Sequence, residues 1–302
     1  MDPLIVLFGL GVGLLVGTTG VGGGSVMTPV LILAFGIKPV LAVGTDLAYG
    51  AITKTVGGWQ HLRQGTVSMR IALWLAVGSI PGALGGVVLL DRLHDAYGDD
   101  IDSVVMAMVA GAVLLTAGLV FARTLFLPKL VQRERDQVDP FTLKHKLAAV
   151  GIGLSVGFVL GVTSVGSGAL IAVGLILIYR LNPHRVVGTD IFHAALLLWV
   201  AGLAHVVSGN VDYALMGTIL LGSVPGVYIG SRISGRLPAA GLRLALGTVL
   251  LAASLGLLTK AGLDIPAGAI VGLPVAIGIA AAFYLRRGRR VPRLITEPPT
   301  AR

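Results

Sequence analysis

The sequence predicts an all-α integral membrane protein made of two copies of one unit. The mean hydropathy of the 302 residues is +0.91 and only 12% of them are charged, whereas a soluble chain of this size needs a more polar surface. Apolar runs of about 16 to 23 residues recur along the chain, and this is the length that crosses a hydrocarbon core. A glycine-rich stretch, GTTGVGGGS at 17–25, also returns as GVTSVGSGA at 161–169.

The duplication extends well beyond the glycine-rich stretches. At a constant offset of 144 residues, the GTD triplet at 44–46 aligns with the GTD triplet at 188–190, and GSIPG at 78–82 aligns with GSVPG at 222–226. The alignment keeps its register without a gap for about eighty positions. Chance does not preserve a register over that length, so the chain is a duplicated unit.

Each unit is predicted to begin with a helical hairpin that is broken at its glycine-rich stretch. The halves of the first hairpin cover about 4–19 and 22–36, and those of the second cover about 147–163 and 166–179. Each half is marginal for a full crossing at about 1.5 Å per residue. The sequence therefore leaves open whether the hairpins re-enter on one side or span the membrane completely.

Three spans follow each hairpin, and one unpaired span ends the membrane part. The predicted spans cover about 44–61, 68–90 and 104–122, then 188–207, 212–232 and 240–259, and finally 266–285. The chain therefore divides into a first membrane repeat at 1–122, a cytoplasmic linker at 123–146, a second membrane repeat at 147–260, an extra helix at 261–285 and a tail at 286–302. The arginine and proline content of the tail predicts disorder.

The distribution of lysine and arginine predicts the orientation in the membrane. The linker, the tail and the short loops around Arg63, Arg180 and Arg232 are basic, and all fall on one side if each unit is a hairpin plus three spans. The positive-inside rule places this side and the C-terminus in the cytoplasm. Each unit then makes an odd number of crossings, so the two units form an inverted repeat, as in many secondary transporters.

Composition also argues against several classes of function. The chain has no cysteine, so it has no disulfide and no thiolate metal site. It has no phosphate-loop motif and no HExxH motif, and we expect no cofactor, no metal and no enzyme activity. The net charge of +9 is explained by basic loops beside apolar runs rather than by nucleic-acid binding. The expected partners are the lipid bilayer and a small anion, and the glycine-rich faces leave a homodimer open.

The two glycine-rich breaks form the candidate substrate site, because inverted-repeat transporters bind where broken helices end near the bilayer midplane. The breaks place helix starts at about Gly22 and Gly166, and a helix N-terminus offers free N–H groups and partial positive charge to an anion. Nearby hydroxyls donate hydrogen bonds without adding net charge. The alternative is that the glycines only allow tight helix crossing. The candidate substrate-binding residues are Thr18, Thr19, Gly22, Gly23, Gly24, Ser25, Thr163, Ser164, Gly166, Ser167, Gly168 and Lys54.

Four ionisable residues inside predicted spans are candidates for anion attraction and proton handling. Asp46 and Asp190 are matched acids near the starts of spans, with helix capping as the alternative role. Lys54 lies about two turns beyond Asp46, where a charge is costly and is by default functional. It could attract an anion, balance Asp190 or snorkel to the interface. His193 shares a helix face with Asp190 and could relay protons or be a hydrogen-bonded core histidine.

These features resemble the TauE/SafE family of sulfite exporters. The resemblance rests on the break at 17–25 followed by GTD at 44–46, on the repetition of both in the second unit, and on the Ser-Ile-Pro-Gly and Ser-Val-Pro-Gly turns. It covers about residues 4–260. The resemblance implies export or uptake of sulfite, organosulfonates or related anions across the bacterial inner membrane, by a chain of seven to nine spans.

The sequence is best explained as a secondary transporter for a small anion, sulfite or an organosulfonate such as sulfoacetate, that works by alternating access with proton coupling left open. The alternative is a proton- or cation-coupled transporter of another small solute, in which Asp46 and Asp190 are the ion sites.

Overall fold

The computed structural model of the chain describes residues 3–19, 23–98, 101–126, 138, 140–233 and 239–288. Within these ranges the chain folds into eleven α-helices and no β-strand, which confirms the predicted all-α fold class. The first unit contains α1 (Pro3–Thr19), α2 (Gly24–Leu33), α3 (Pro39–Arg63), α4 (Met69–Tyr97) and α5 (Ile101–Leu125). The second contains α6 (Leu143–Thr163), α7 (Ser167–Leu177), α8 (Pro183–Val207), α9 (Tyr213–Ile233) and α10 (Ala239–Lys260), and α11 (Ala267–Gly288) follows. Most of the predicted linker and tail lies outside the described residues.

Seven helices of the described chain are long and apolar enough to cross a membrane. They are α4, α5, α6, α8, α9, α10 and α11. The number agrees with the prediction of seven crossings, but the membership differs in two places. The predicted hairpin half at 147–163 belongs to α6, which begins at Leu143 and is long enough to span. Helix α3 covers the predicted span at 44–61 but is not among the seven apolar helices. Asp46, Lys54 and its polar C-terminal end lower its hydropathy.

Both glycine-rich breaks end a longer helix and start a short one. Helix α2 has 10 residues and α7 has 11, which corresponds to about 15 Å, or half of a hydrocarbon core. The second break turns through Ser164 at φ 59° and Gly166 at φ 108°. A left-handed backbone is strained for a serine, so the break depends on its surroundings to hold Ser164 in place.

Counterpart helices of the two units pack in matching pairs. Helix α1 packs along α9, and α6, the counterpart of α1, packs along α4, the counterpart of α9. Gly13 of α1 lies on the backbone of Ser223, and Gly157 of α6 lies on the backbone of Ser79. Both contacts join positions that correspond at the repeat offset. A Cβ at either glycine would overlap the neighbouring helix, so these glycines allow the close helix approach that is common in membrane proteins.

Helices α3 and α8 form the centre of the bundle. They are counterparts and pack on each other. Gly50 faces Leu198 and Gly57 faces Ile191, so residue numbers rise on one helix as they fall on the other. The two helices are therefore antiparallel, and they carry Asp46, Lys54, Asp190 and His193 between the two units.

Candidate functional site

The GTD triplet of the first unit anchors α3 to a loop of the second unit. A Cβ on Gly44 would overlap the backbone carbonyl of Asn210, so glycine allows the loop to approach. The Thr45 hydroxyl accepts a hydrogen bond from the backbone N–H of Asp212 at 2.9 Å. The first two residues of the triplet thus fix the helix, and the third, Asp46, is directed into the protein, where it is 1% exposed.

The second triplet makes the same contacts with a loop of the first unit. Gly188 lies against Thr66, and the Thr189 hydroxyl accepts a hydrogen bond from the Ser68 N–H at 2.9 Å. Asp190 is then 3% exposed. Each unit therefore positions the acidic residue of the other by the same pair of contacts, which is a physical reason for the repetition of the triplet.

Replacing Thr45 with valine should destabilise the protein, because the half-buried N–H of Asp212 loses its acceptor. The expected cost is about 0.5–1.5 kcal/mol, seen as a lower thermal unfolding midpoint in detergent. Thr218→Val is the matched control, since the Thr218 hydroxyl bonds only the Ala214 carbonyl of its own helix among the described contacts. Equal midpoints for Thr45→Val and Thr218→Val would contradict the anchoring role.

Asp46 joins the first unit to the break of the second. Its Oδ2 accepts hydrogen bonds from the hydroxyls of Thr28 at 2.6 Å and Ser164 at 2.8 Å. Its Oδ1 has no hydrogen-bond partner among the described residues.

The capping interpretation is wrong for both acids, because α3 and α8 begin at Pro39 and Pro183, about two turns earlier.

Asp190 has a different environment from Asp46, although the two positions correspond. The positions that match Thr28 and Ser164 are Ala172 and Gly20, and neither has a hydroxyl. The Oδ1 of Asp190 has no hydrogen-bond partner in the described part of the chain. The pair of acids is therefore symmetric in sequence position and asymmetric in hydrogen bonding.

Lys54 lies in the interior between the two acids. It is 7% exposed, and its buried Nζ has no hydrogen-bond partner among the described residues. It interacts electrostatically with both Asp190 and Asp46. The snorkelling interpretation is therefore wrong, since the ammonium group faces the interior. A buried ammonium without a hydrogen bond is costly, and an anion would compensate for that cost.

His193 is held by a serine of the other unit. Its Nε2 lies 2.8 Å from the Ser79 hydroxyl, and its Nδ1 has no partner within the described ranges. This is a hydrogen-bonded core histidine, one of the two readings left open by the sequence. The counterpart pair is Tyr49 and Ser223, whose hydroxyls lie near each other without a hydrogen-bond partner among the described residues, so the repeat preserves the proximity of the two side chains but not the hydrogen bond.

Two small cavities lie where the breaks meet. One, of about 20 Å³, is lined by Asp46 and Lys54 together with residues of both breaks. The other, of about 10 Å³, is enclosed almost entirely by the breaks. Each has room for about one water molecule. The break residues that line at least one of them are Gly23, Gly24, Ser25, Ser164, Gly166, Ser167, Gly168 and Ala169.

A larger vestibule of about 620 Å³ leads to these cavities from one end of the bundle. Lys54 and Thr53 line both the vestibule and the 20 Å³ cavity, so they form its floor. The basic residues in its wall are His61, His184 and Arg243, and none of its described lining residues is Asp or Glu. The vestibule is therefore a basic passage that ends at a buried ammonium group.

The remaining candidate residues lie apart from the two small cavities. Thr18 lines the vestibule, and its hydroxyl bonds the Leu14 carbonyl of its own helix. The Thr163 hydroxyl bonds the Val159 carbonyl. Asp190 and His193 are buried beside Lys54 and Ser79 without lining the described cavities. Gly22 and the side chain of Thr19 lie outside the described residues.

Sequence reasoning missed several residues of the site. Thr28 holds Asp46, Thr116 lines the 10 Å³ cavity, and Arg243 lines the vestibule. Thr28 and Thr116 have no hydroxyl at the counterpart position, so a search for repeated residues passes over them. Tyr49 lines the 20 Å³ cavity and could have been found as the counterpart of His193.

One enzyme-like pattern in the chain has a structural explanation. GLSVG at 153–157 fits the GxSxG pattern, which marks a nucleophile only on a strand-to-helix turn. Here it lies inside α6, where the exposed Ser155 hydroxyl bonds the Gly151 carbonyl. It forms no nucleophile elbow.

Comparison with known proteins identifies the family. Residues 5–257 match the family described as "Sulfite exporter TauE/SafE". The chain is 40% identical over 258 residues to "Probable membrane transporter protein YjnA" of Bacillus subtilis, covering 85% of this chain and 100% of that protein. It is 32% identical over 248 residues to "Probable membrane transporter protein YdhB" of the same organism, covering 80% of this chain and 94% of that protein.

A more distant relative comes from an archaeon. "Probable membrane transporter protein MJ0441" of Methanocaldococcus jannaschii is 23% identical over 265 residues, covering 82% of this chain and 92% of that protein. No solved structure gives a significant match. The seven apolar helices, the buried charges at the breaks and the match over nearly the whole chain agree, and the protein is a multi-pass membrane transporter of the TauE/SafE family.

Proposed function

We propose that the protein is a secondary transporter that moves a small anion across the bacterial inner membrane by alternating access. The observation that carries this proposal is the vestibule, whose described lining contains Lys54, His61, His184 and Arg243 and no acidic residue. A passage lined by one sign of charge attracts ions of the opposite sign. The family name supports sulfite or an organosulfonate such as sulfoacetate as the anion.

The floor of the vestibule has the chemistry to bind an oxyanion and release it. The Lys54 ammonium has no hydrogen-bond partner in the described chain, so an entering oxyanion can accept its hydrogen bonds. Ser167 lies beside it in the same cavity and adds a hydroxyl donor, whereas the Ser164 hydroxyl already donates to Asp46. The Asp46 carboxylate lies opposite and weakens the net attraction, which allows the anion to leave.

The predicted orientation gives the vestibule a side of the membrane. Its rim includes Gln64 and Pro183, which belong to the loops that the positive-inside rule places in the cytoplasm. The structure then represents an inward-facing state. The antiparallel packing of the counterpart helices α3 and α8 supports the inverted repeat, and inverted repeats permit the opposite state by exchange of roles between the units.

A coupling ion is favoured by the two acids. The Oδ1 atoms of Asp46 and Asp190 are both buried without a described partner, and buried carboxylates in transporters commonly bind protons or cations. We propose a proton as the coupling ion. Asp190 is the stronger candidate, because it lacks the two hydroxyl donors that hold Asp46.

Uptake into proteoliposomes that contain only this protein tests the function. Labelled sulfite and labelled sulfoacetate are each supplied with and without a pH gradient. Uptake that follows the gradient supports anion–proton transport, and uptake that is indifferent to it supports an uncoupled anion facilitator. Movement of neither anion would contradict the proposed substrate class and leave other small anions to be tested.

Replacing Asp190 with asparagine should remove the dependence of uptake on the pH gradient, because the amide cannot exchange a proton. We expect accumulation against a concentration gradient to fall at least tenfold. Asp264→Asn, at an exposed loop position outside the bundle, is the control and should leave accumulation unchanged. A gradient-dependent Asp190→Asn variant would rule out Asp190 as the coupling residue.

A further inference from the structure

We propose that His205 and Gly161 form a gate at the outer end of the pathway, and that their counterparts His61 and Gly17 form the gate that closes the vestibule in the opposite state. This inference rests on the proposed alternating access. In each state, one hydrogen bond between a histidine ring and a backbone carbonyl closes one end of the pathway.

The outer end is closed by the second-unit pair. His205 is fully buried near the end of α8, and its Nε2 lies 3.1 Å from the carbonyl oxygen of Gly161 near the end of α6. The neighbouring loop supports the ring, because the Nδ2 of Asn210 lies 3.5 Å from the His205 Nδ1. This contact joins α8 to the helix that carries the second break.

The inner end is open at the matching pair. His61 and Gly17 both line the vestibule, at the positions that correspond to His205 and Gly161 at the repeat offset. The His61 Nδ1 lies 3.0 Å from the hydroxyl of Thr66, the counterpart of Asn210. Each histidine ring therefore has a polar side chain of the following loop near its Nδ1. Only His205, in the second unit, also contacts the glycine carbonyl.

Helix packing shows the same asymmetry. Helix α8 packs more extensively on α4 than α3 packs on α9, although the two pairs are counterparts. The central helix pair therefore lies closer to α4 than to its counterpart α9. An arrangement of equivalent contacts, with one set made and one set open, is a two-state element.

Asp91 forms a second contact at the outer end, which we call the latch. Asp91 of α4 accepts hydrogen bonds from the Ser208 hydroxyl at 2.6 Å and the Asn210 amide at 3.2 Å. The counterpart of Asp91 is Gly235, which has no side chain to make such a bond. The latch therefore favours the state with the outer end closed, and its removal should favour the opposite state.

Two single-cysteine reporters can measure the balance between the states, because the chain has no cysteine of its own. Val187 lines the vestibule, and its counterpart Val43 is fully buried at the closed end. Val187→Cys reports the inward-open state and Val43→Cys reports the outward-open state. The measured quantity is the ratio of their labelling rates by a membrane-impermeant maleimide, applied from the cytoplasmic side for Val187→Cys and from the outer side for Val43→Cys.

The proposal predicts changes of opposite sign in that ratio. His205→Ala should raise the Val43-to-Val187 labelling ratio about two- to tenfold, the range that one hydrogen bond produces, and His61→Ala should lower it by a similar factor. Asp91→Ala, at a position nearer the surface, should also raise it and remains informative if His205→Ala fails to fold. Equal ratios, or changes of the same sign for both histidines, would overturn the gate.

The same preparation separates this inference from the proposed function. Opposite changes in the ratio support the gate even if neither sulfite nor sulfoacetate is transported, and that result would count against the substrate alone. Normal transport with an unchanged ratio would count against the gate alone.

Discussion

Replacing Lys54 with leucine is expected to reduce anion uptake by about 100-fold or more. The ammonium group is buried, has no hydrogen-bond partner in the described chain, and forms the floor of the vestibule. Loss of one partner of a buried charge pair costs about 2–5 kcal/mol, and the bound anion would be the remaining partner. Leucine occupies the counterpart position, Leu198, so the side chain itself is acceptable at this depth of the bundle.

The controls separate a specific role of Lys54 from a general effect of positive charge. Arg63→Gln removes a cation from the end of the same helix, where Arg63 stacks on the Trp59 ring with 3.8 Å between the guanidinium carbon and the ring centroid, and should change uptake less than twofold. Lys54→Arg retains the charge and should retain part of the uptake. Uptake by Lys54→Leu within threefold of the unchanged protein would show that the anion does not bind at this residue.

The fold could be predicted because hydropathy and duplication both extend over many residues. The predicted span at 44–61 starts five residues too late, since Pro39 is the first residue of α3. Proline at this position is a common helix start, so the signal was present in the sequence. The low hydropathy of α3 follows from its place at the centre of the bundle, where polar side chains face the other unit and not lipid.

The site could be predicted in its parts but not in its contacts. The breaks, Asp46 and Lys54 were identified because glycine runs and buried charges are rare and recognisable. The hydrogen bonds from Thr28 and Ser164 to Asp46 cross between elements that are distant in sequence. No periodicity or spacing encodes them, and the left-handed turn at Ser164 that directs its hydroxyl toward Asp46 depends on the surrounding structure. The two histidine–glycine pairs are equivalent in sequence, and only the structure distinguishes the pair that is in contact from the pair that is apart.

Replacing Gly24 with alanine is expected to reduce uptake at least tenfold while the protein still folds. A Cβ at this position would overlap the backbone carbonyl of Ser164 and lie 3.0 Å from both the Asp46 Oδ2 and the Ser164 Oγ. The break of the second unit would have to move, and the hydrogen bond between Ser164 and Asp46 would lengthen. Overpacking of this kind typically costs about 1–3 kcal/mol, and here the cost falls on the contact that joins the two breaks.

Gly151→Ala in α6 is the matched control, because a Cβ there meets no atom within 4 Å, and it should leave uptake unchanged. A thermal unfolding midpoint of Gly24→Ala close to that of the unchanged protein would place the defect in the site rather than in the fold. If both glycine variants transport equally well, the two breaks do not need to touch for the anion to pass. The pathway would then run along the vestibule wall and leave the protein without crossing between Gly24 and Ser164.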